Sequence, residues 1–503
     1  MVEQGMGVRP KASAAGVTYN AVDAGYFEKR GLTRYAGVWS LWALGVGAVI
    51  SGHFSGWNLG LAAGGFGGMA IATAIIMCMY LGLCFSLAEM SPALPHTGGA
   101  YSFARTTMGP WGGFVTGLAE NMEFVLTPAV IVFFIGSYLG GIFETGPGFQ
   151  PVWWIGCYIL FVTLNLIGVD LSFRVSLVVT LAALAILAVF WISAIPLFDF
   201  SRWSLNIGVG PDGAPVQLPD GGGTFLPFGI GGALAALPFA VWLFLAIEQL
   251  PLAAEESVDP KRDMPKGLIL GIFTLIFSAF MVLFLNTGIP NGAFALSSSG
   301  EPLLDGFKAI YGADTAKILA LIAVIGLIAS FHTIIFAYGR QIYSLSRAGY
   351  FPTFLSVTHG TRRTPHVALV AGALVGLAVL LVVWVVAGEA GGAFIGGTLL
   401  NMAVFGAMIS YMMQATAFIR LRLHFPHIER PYRSPLGIAG AAVTIVVAAV
   451  TIYYQLLDPV YRAGVIGAAI WYALGIGYFA AVGRHKLVLS PEEEFAMSGG
   501  RSH

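Results

Sequence analysis

The chain has 503 residues, of which 57% are apolar and only 10% are charged, against roughly 25% charged residues in an ordinary soluble domain. So few charges cannot cover the surface of a soluble globule of this size, which indicates that lipid is the main solvent. The 25 basic and 25 acidic residues cancel. This balance excludes a polybasic nucleic-acid binder and an acidic tail protein, so nucleic acid is not an expected partner.

Glycine and cysteine usage adds to this picture. The 66 glycines are about twice the average share of ~7%, which predicts close helix contacts and interrupted transmembrane helices. The cysteines Cys78, Cys84 and Cys157 lie in apolar runs without a CxxC pattern. We therefore expect buried free thiols, and neither disulfides nor a metal site.

Residues 1–34 are polar and show no cleavage pattern, so the first apolar run is expected to stay as a membrane span. A bilayer core of about 30 Å requires about 20 apolar residues per helix. Twelve runs of this kind lie near 35–58, 67–90, 111–140, 151–169, 175–198, 229–254, 267–288, 314–342, 365–387, 392–416, 435–456 and 463–483.

Twelve spans place both termini on one side of the membrane. With the termini inside, only four of the 25 basic residues lie outside, namely Arg202, Lys308, Lys317 and Arg462. This bias predicts a multi-pass protein of the inner (plasma) membrane with cytoplasmic termini. The expected segments are a cytoplasmic tail at 1–34, helices 1–5 at 35–198, an extracytoplasmic loop at 199–228, helices 6–10 at 229–416, helices 11 and 12 at 417–483, and a cytoplasmic tail at 484–503.

Spans 1 and 6 carry helix-breaking residues near the bilayer centre. Span 1 has Gly52 and His53 at this depth, and span 6 has Glu248 followed by Pro251. Interruptions in the first helices of two five-helix halves predict an inverted-repeat transporter with a site at the midplane. The alternative is a pair of kinks that only aid packing.

Three sequence blocks carry a family resemblance: AEMSPALPHTGGAY at 88–101, AEESVDPKRDMP at 254–265 and GRQIYSLSRAGYFP at 339–352. Together they resemble the amino acid-polyamine-organocation (APC) superfamily over residues 35–483. The stretches VISGHFSGWN at 49–58 and GLAENMEFVLTPA at 117–129 look most like bacterial ethanolamine permeases. The resemblance implies an all-α, LeuT-like fold with a 5+5 inverted repeat plus two C-terminal helices. It also implies a secondary transporter rather than an enzyme.

Midplane acids suggest the substrate. Glu120 and Glu123 share one helix face, Glu248 lies in the interrupted span 6, and no lysine or arginine is near them in sequence. Because charged groups at this depth are costly, each is a functional candidate. Unpaired carboxylates favour a small cationic amine, of which ethanolamine is the first candidate. The alternatives are an amino acid permease or exchanger, and a membrane sensor.

The two interrupted spans supply the rest of the predicted substrate site. The carbonyls near Ile50 and Ser51 suit an ammonium group, and Phe239 and Trp242 could add a cation–π face. The resemblance implies that Trp242 acts as a gate, although it could equally be an ordinary packing aromatic. The predicted substrate-binding set is Ile50, Ser51, Gly52, His53, Glu120, Glu123, Phe239, Trp242, Ala246 and Glu248.

The sequence is compatible with transport coupled to either H⁺ or Na⁺. His53 and Glu248 are candidate proton sites, and His53 has an equally simple structural role as a donor to backbone. Ser330 and Thr333 form a candidate oxygen site for sodium, although such hydroxyls commonly bond back to their own helix. Span 5 lacks the lysine that several related transporters place there.

The loop after span 6 contains the candidate gate. Glu255 and Glu256 are either solvated interfacial charges or partners of Arg340 or Arg347 in an inner gate. No metal, organic cofactor or obligate protein partner is expected, so the predicted partners are a small amine and the lipid bilayer.

Overall fold

The computed structural model describes residues 16–20, 22, 25–94, 98–388, 392–457 and 461–489. In these ranges the chain is almost entirely helical, with a short hairpin of strands β1 (Ile207–Val209) and β2 (Pro215–Gln217). The described α-helices are α1 (Gly25–Glu28), α2 (Val38–Val49), α3 (Ser51–Phe54), α4 (Gly60–Ala93), α5 (Gly99–Phe143), α6 (Gln150–Ile167), α7 (Val169–Ala194), α8 (Gly229–Ala235), α9 (Leu237–Val241), α10 (Pro260–Thr287), α11 (Gly292–Leu296), α12 (Pro302–Tyr311), α13 (Ala313–Arg347), α14 (His366–Ala387), α15 (Gly392–His424), α16 (Gly437–Leu457) and α17 (Arg462–Ala481).

Hydropathy and length identify the membrane-crossing helices. Among the described residues, 10 helical stretches are long and apolar enough to cross a bilayer. The apolar stretch Val38–Phe54 is shorter, and residues 229–256 are divided among α8, α9 and a 3₁₀ helix, Ile247–Glu256. The protein is therefore an all-α, multi-pass membrane protein, and the count of twelve spans stays a prediction.

The outward-facing side chains are apolar, as expected for helices in contact with lipid. Ile192, Val386 and Leu474 are each at least 70% exposed, whereas the acids predicted for the site are buried. The expectation of three buried thiols is wrong for Cys78, which is exposed, while Cys84 is buried and Cys157 is intermediate. An apolar run in a membrane protein does not distinguish lipid-facing from protein-facing positions, which explains this error.

Two glycines in the left-handed region change the expected helix boundaries. Gly65, at φ 65°, separates the end of the first span from the second, so the residues 57–64 complete span 1. Gly109, at φ 78°, separates a leading helical segment that begins at Gly99 from the predicted third span. In both places only the glycine departs from helical backbone angles, and the helix changes direction there.

The centre of the bundle is built around α5. This helix packs against α13 and α15, while α2 packs against α7, α10 and α13. The interrupted residues 229–256 lie against α2, α4 and α10. The two segments predicted to be broken are thus next to each other in the interior.

The described residues near the N-terminus and near the C-terminus lie on the same face of the helical bundle. Tyr19 forms a parallel bridge with Leu487, and the Thr18 N–H donates to the Arg484 carbonyl over 2.8 Å. Arg105 of α5 donates to the Val488 carbonyl over 3.1 Å. Which side of the membrane this face occupies stays a prediction from the distribution of basic residues.

Candidate functional site

The first span is interrupted at Ser55 and Gly56. Ser55 is extended (φ −165°, ψ 163°) and Gly56 is left-handed (φ 95°). The interruption comes after α3, because His53 N–H still donates to the Ile50 carbonyl and Ser55 N–H to the Ser51 carbonyl. The carbonyls of Ile50 and Ser51, which the sequence suggested as free acceptors for an ammonium group, are therefore bonded in this conformation.

The second interruption follows α9. A run of turns leads from Trp242 to Ala246, which has a left-handed φ of 82°, and the 3₁₀ helix Ile247–Glu256 begins after it. Ala246 thus directs the chain into the segment that carries Glu248. Pro251, inside this 3₁₀ helix, is consistent with the loss of regular α-helical bonding.

Side chains from other segments bond backbone groups at the junction of α2 and α3 and at the interruption itself. The Ser330 hydroxyl donates to the Gly47 carbonyl over 2.7 Å and accepts from the Ser51 N–H over 2.8 Å. The Trp242 indole donates to the Ser55 carbonyl over 3.1 Å. Interrupted backbone in a membrane needs such partners, since water does not supply them there.

The two interruptions touch at Gly52. A Cβ atom at this position would overlap the backbone carbonyl oxygen of Trp242 and lie 3.3 Å from its Cδ1 atom. At Gly56 a Cβ would lie 2.7 Å from the Trp242 indole nitrogen. Close approach of the two segments therefore requires glycine at both positions.

His53 joins three segments. Its Nε2 lies 2.9 Å from the Leu243 carbonyl and its Nδ1 lies 2.6 Å from the Ser278 hydroxyl of α10. Because a carbonyl oxygen can only accept, Nε2 carries the proton and Nδ1 accepts from the hydroxyl. Both nitrogens of a neutral imidazole are then satisfied, which is the structural role considered for this residue.

Three carboxylates meet in the interior beside these interruptions. Glu120, Glu123 and Glu248 are each at most 1% exposed, and Glu248 interacts electrostatically with the other two. The Tyr411 hydroxyl lies 3.1 Å from Glu123 Oε1 and 3.0 Å from the hydroxyl of Tyr80. Both tyrosines are fully buried, so the acids and the tyrosine pair form one polar cluster in an apolar surrounding.

The cluster has no cationic partner among the described residues, because none of their ion pairs includes Glu120, Glu123 or Glu248. Both oxygens of Glu248 and one oxygen of each other acid also lack a hydrogen bond of good geometry in the described ranges, although Glu248 interacts with Glu123, Tyr411 and the backbone of Ala246. Three buried carboxylates cannot all remain ionised without compensation. Chemically, the cluster can bind protons or an ammonium group.

Sequence analysis did not identify several of these partners. Tyr80, Tyr411 and Ser278 come from α4, α15 and α10, and Gln341 of α13 interacts with Glu120. The available signal was a polar residue at mid-depth in an apolar run. That signal alone does not reveal which of many such residues points towards the acids.

The aromatic candidates lie in different surroundings. Trp242 is 3% exposed and lies at the contact between the two interruptions. The Phe239 ring, 7% exposed, packs against the ring of Tyr461 with centroids 5.7 Å apart. Of the two, Trp242 has the contacts expected of a residue that responds to movement of span 1.

The hydroxyls proposed for sodium are already bonded. Ser330 bridges Gly47 and Ser51, as described above, and Thr333 donates to the carbonyls of its own helix at Ala329 (2.9 Å) and Ser330 (3.1 Å). In the described part of the chain, no group of three or more His, Cys, Asp or Glu side chains could hold a metal ion. The bonding of Thr333 matches the alternative in which such hydroxyls bond back to their helix.

Two ion pairs connect the end of the interrupted segment to α13. Arg340 donates to both oxygens of Glu256 over 2.9 and 3.1 Å, and both side chains are at most 1% exposed. Arg347 donates to both oxygens of Glu255 over 2.5 and 3.0 Å. Of the two alternatives considered for these acids, the solvated loop does not apply to Glu256, which is buried in a paired arrangement.

Comparison with known proteins identifies the family. The family described as amino acid permease matches residues 37–481, which is most of the chain. The chain belongs to this family. The family is one of transporters rather than enzymes, and the APC resemblance inferred from the three sequence blocks is thereby supported at the superfamily level.

Individual relatives of this permease are distant. An uncharacterized transporter of Rhizobium meliloti is 29% identical over 67% of this chain and 70% of its own length. The methylthioribose transporter of Bacillus subtilis is 26% identical over 92% and 96%, and the branched-chain amino acid permease BcaP of that organism is 24% identical over 81% and 85%. The solved structure of Mhp1, a nucleobase-cation-symport-1 family transporter, gives a TM-score of 0.47 at 15% identity over 95% of this chain and 99% of that chain, a likeness too weak to define the fold.

Proposed function

We propose that this permease imports a small cationic amine across the cytoplasmic membrane by alternating access, with ethanolamine as the first candidate. The observation that carries the proposal is the buried cluster of Glu120, Glu123 and Glu248 without an arginine or lysine partner among the described residues. An ammonium group supplies both the missing charge and up to three hydrogen-bond donors. Because the acids are buried, substrate must enter through a different conformation.

An amino acid is the second candidate substrate. The family description and the name of the branched-chain relative favour it. The name of the methylthioribose relative indicates that substrates other than amino acids also occur among related proteins. An amino acid would require donors for its carboxylate, whereas three of the buried side chains in the cluster are carboxylates, which only accept hydrogen bonds when ionised.

Uptake of labelled ethanolamine into proteoliposomes tests the proposal. We expect saturable uptake that unlabelled ethanolamine inhibits more strongly than leucine or asparagine does. The pH gradient, the sodium gradient and internal substrate should be varied one at a time, since this distinguishes proton symport, sodium symport and exchange. Stronger inhibition by the neutral amino acids would exclude ethanolamine and favour the second candidate.

A further inference from the structure

A cavity of about 280 Å³ lies where α4 and α15 end and α16 begins. Its lining residues are Glu89, Arg422, Pro426, Arg430 and Arg433. Three guanidinium groups thus surround one carboxylate, which leaves an excess of two positive charges. This cavity is separate from the three-carboxylate cluster and has no part in the proposed transport site.

Glu89 contacts two of these arginines. It is 0% exposed and accepts from Arg422 Nε over 3.0 Å and Arg422 Nη2 over 2.5 Å. Arg430 Nε lies 3.2 Å from Glu89 Oε1, and the Ser434 N–H donates to Oε2 over 2.7 Å. The carboxylate therefore holds Arg422 through two hydrogen bonds and lies within ion-pair distance of Arg430.

Arg433 is the third guanidinium. It is exposed, and in the described part of the chain no hydrogen bond or ion pair uses its side chain. Arg422 Nη1 also stays outside the bonds that Arg422 makes to Glu89 and to the Ser434 carbonyl. Planar guanidinium donors of this kind match the oxygens of a phosphate group. A bound phosphate would offset the positive excess that Glu89 leaves.

The surroundings of the cavity favour a lipid as the source of the phosphate. Leu423, Leu436 and Ile438, which neighbour the lining arginines in sequence, are 61%, 41% and 39% exposed. The first turn of α16, at Gly437, adds the positive end of a 21-residue helix. Exposed apolar side chains beside arginines are typical of the level at which headgroups meet acyl chains.

We propose that this cavity binds the phosphate headgroup of an anionic phospholipid in the leaflet on that face, with Arg433 and Arg422 as phosphate donors and Glu89 as the residue that orients Arg422. Inorganic phosphate from solution has the same chemistry. The two sources differ in whether acyl chains contribute, which an experiment can separate.

The test uses the full-length protein in detergent and measures its unfolding temperature during titration with dioleoyl-phosphatidylglycerol, dioleoyl-phosphatidylcholine or inorganic phosphate. We expect phosphatidylglycerol to raise the unfolding temperature more than phosphatidylcholine does. Arg433→Gln should weaken the apparent affinity of the protein for phosphatidylglycerol by about fivefold. This is the contribution expected of one arginine near an anionic headgroup. Arg362→Gln is the matched control, because Arg362 is exposed on the loop that bonds to the N-terminal segment.

The outcomes separate the alternatives. A shift with phosphatidylglycerol that Arg433→Gln reduces and Arg362→Gln does not would support the lipid site. The same Arg433-dependent shift with inorganic phosphate would support the phosphate site with a soluble source. Equal shifts with both lipids, or no effect of Arg433→Gln beyond that of the control, would overturn the proposal. Native mass spectrometry of retained phosphatidylglycerol provides a second readout that does not depend on stability.

Discussion

The three acids of the central cluster differ in how much of their bonding the protein supplies. Glu123 accepts a hydrogen bond from the Tyr411 hydroxyl over 3.1 Å. Neither oxygen of Glu248 makes a hydrogen bond of good geometry among the described residues, although Glu248 interacts with Glu123, Tyr411 and the backbone of Ala246. We therefore expect Glu248 to be the first of the three acids to bind substrate, and Glu123 to fix the cluster geometry through Tyr411.

Glu248→Gln and Glu123→Gln should each reduce ethanolamine uptake in proteoliposomes by about 10- to 150-fold. A charge-assisted hydrogen bond contributes about 1.5–3 kcal/mol, and each 1.36 kcal/mol corresponds to about tenfold in rate. Glu429→Gln is the control, because that side chain is 81% exposed. Wild-type uptake in both cluster variants, with protein amount and monodispersity matched, would contradict a role for these acids.

Glu301, at the start of α12 and outside the predicted spans, should make stability depend on pH. Burial raises its pKa to about 7, with Lys308 opposing this rise and Asp305 adding to it. Since the folded pKa exceeds the value of about 4.3 in an unfolded chain, the contribution to stability is complete below about pH 4.3. It is lost as the pH rises through 7.

The measurement is the unfolding temperature in detergent between pH 5 and pH 8. The decrease in unfolding temperature across this range should be smaller in Glu301→Gln than in the wild type, because the amide does not titrate. Glu429→Gln should retain the wild-type slope. Equal slopes in wild type and Glu301→Gln would show that burial does not perturb this carboxyl.

At the scale of elements, the interruptions in span 1 and in residues 229–256 form one unit. His53 bonds the Leu243 carbonyl, Trp242 bonds the Ser55 carbonyl, and Gly52 permits the backbone contact between them. A side chain of each segment thus forms a hydrogen bond to a backbone carbonyl of the other segment. Movement of either segment must break these bonds or carry the other segment along.

Gly52→Ala should disrupt this unit, because its Cβ would overlap the Trp242 carbonyl oxygen. Overpacking of an interior typically costs about 1–3 kcal/mol, so we expect a lower unfolding temperature and a loss of most uptake. Gly156→Ala is the matched control, since nothing lies within 4 Å of a Cβ at that position of α6. Comparable losses in both variants would indicate a general effect of alanine in these helices.

The apolar runs and the helix-breaking residues of these elements were predictable from sequence. The helices against which they pack were not. Apolar run length and the positions of Gly52 and Pro251 are properties of a short window, which is why membrane-spanning helices could be predicted and candidate interruptions proposed. The Tyr411–Glu123 bond joins residues 288 positions apart, and no local pattern encodes which helices become neighbours. The exposure of Cys78 was missed for the same reason.

At the scale of the whole molecule, the buried pair of Arg340 and Glu256 ties the interrupted segment to α13. Such a pair is costly to bury and costly to break, because removal of one partner leaves the other charge without compensation. The Arg347–Glu255 pair lies beside it on the same two elements. The Arg347 carbonyl also accepts from the Tyr26 hydroxyl, so these pairs lie near the described N-terminal residues.

Double-mutant analysis of the buried pair should show strong coupling. Arg340→Gln and Glu256→Gln should each destabilise the protein by about 3–5 kcal/mol, because each leaves one unpaired buried charge. The combined variant should unfold at a higher temperature than either single variant, since no unpaired charge remains. Additive losses in the combined variant would show that the two side chains act independently.

The bridge between Tyr19 and Leu487 has a mechanical consequence. The two segments run parallel, so tension applied to the two ends of the chain pulls them past each other along the strand direction. Their backbone bonds are then loaded together in shear. Force between the ends would reach this short bridge, and the Arg105 contact with Val488, before it reaches the membrane helices.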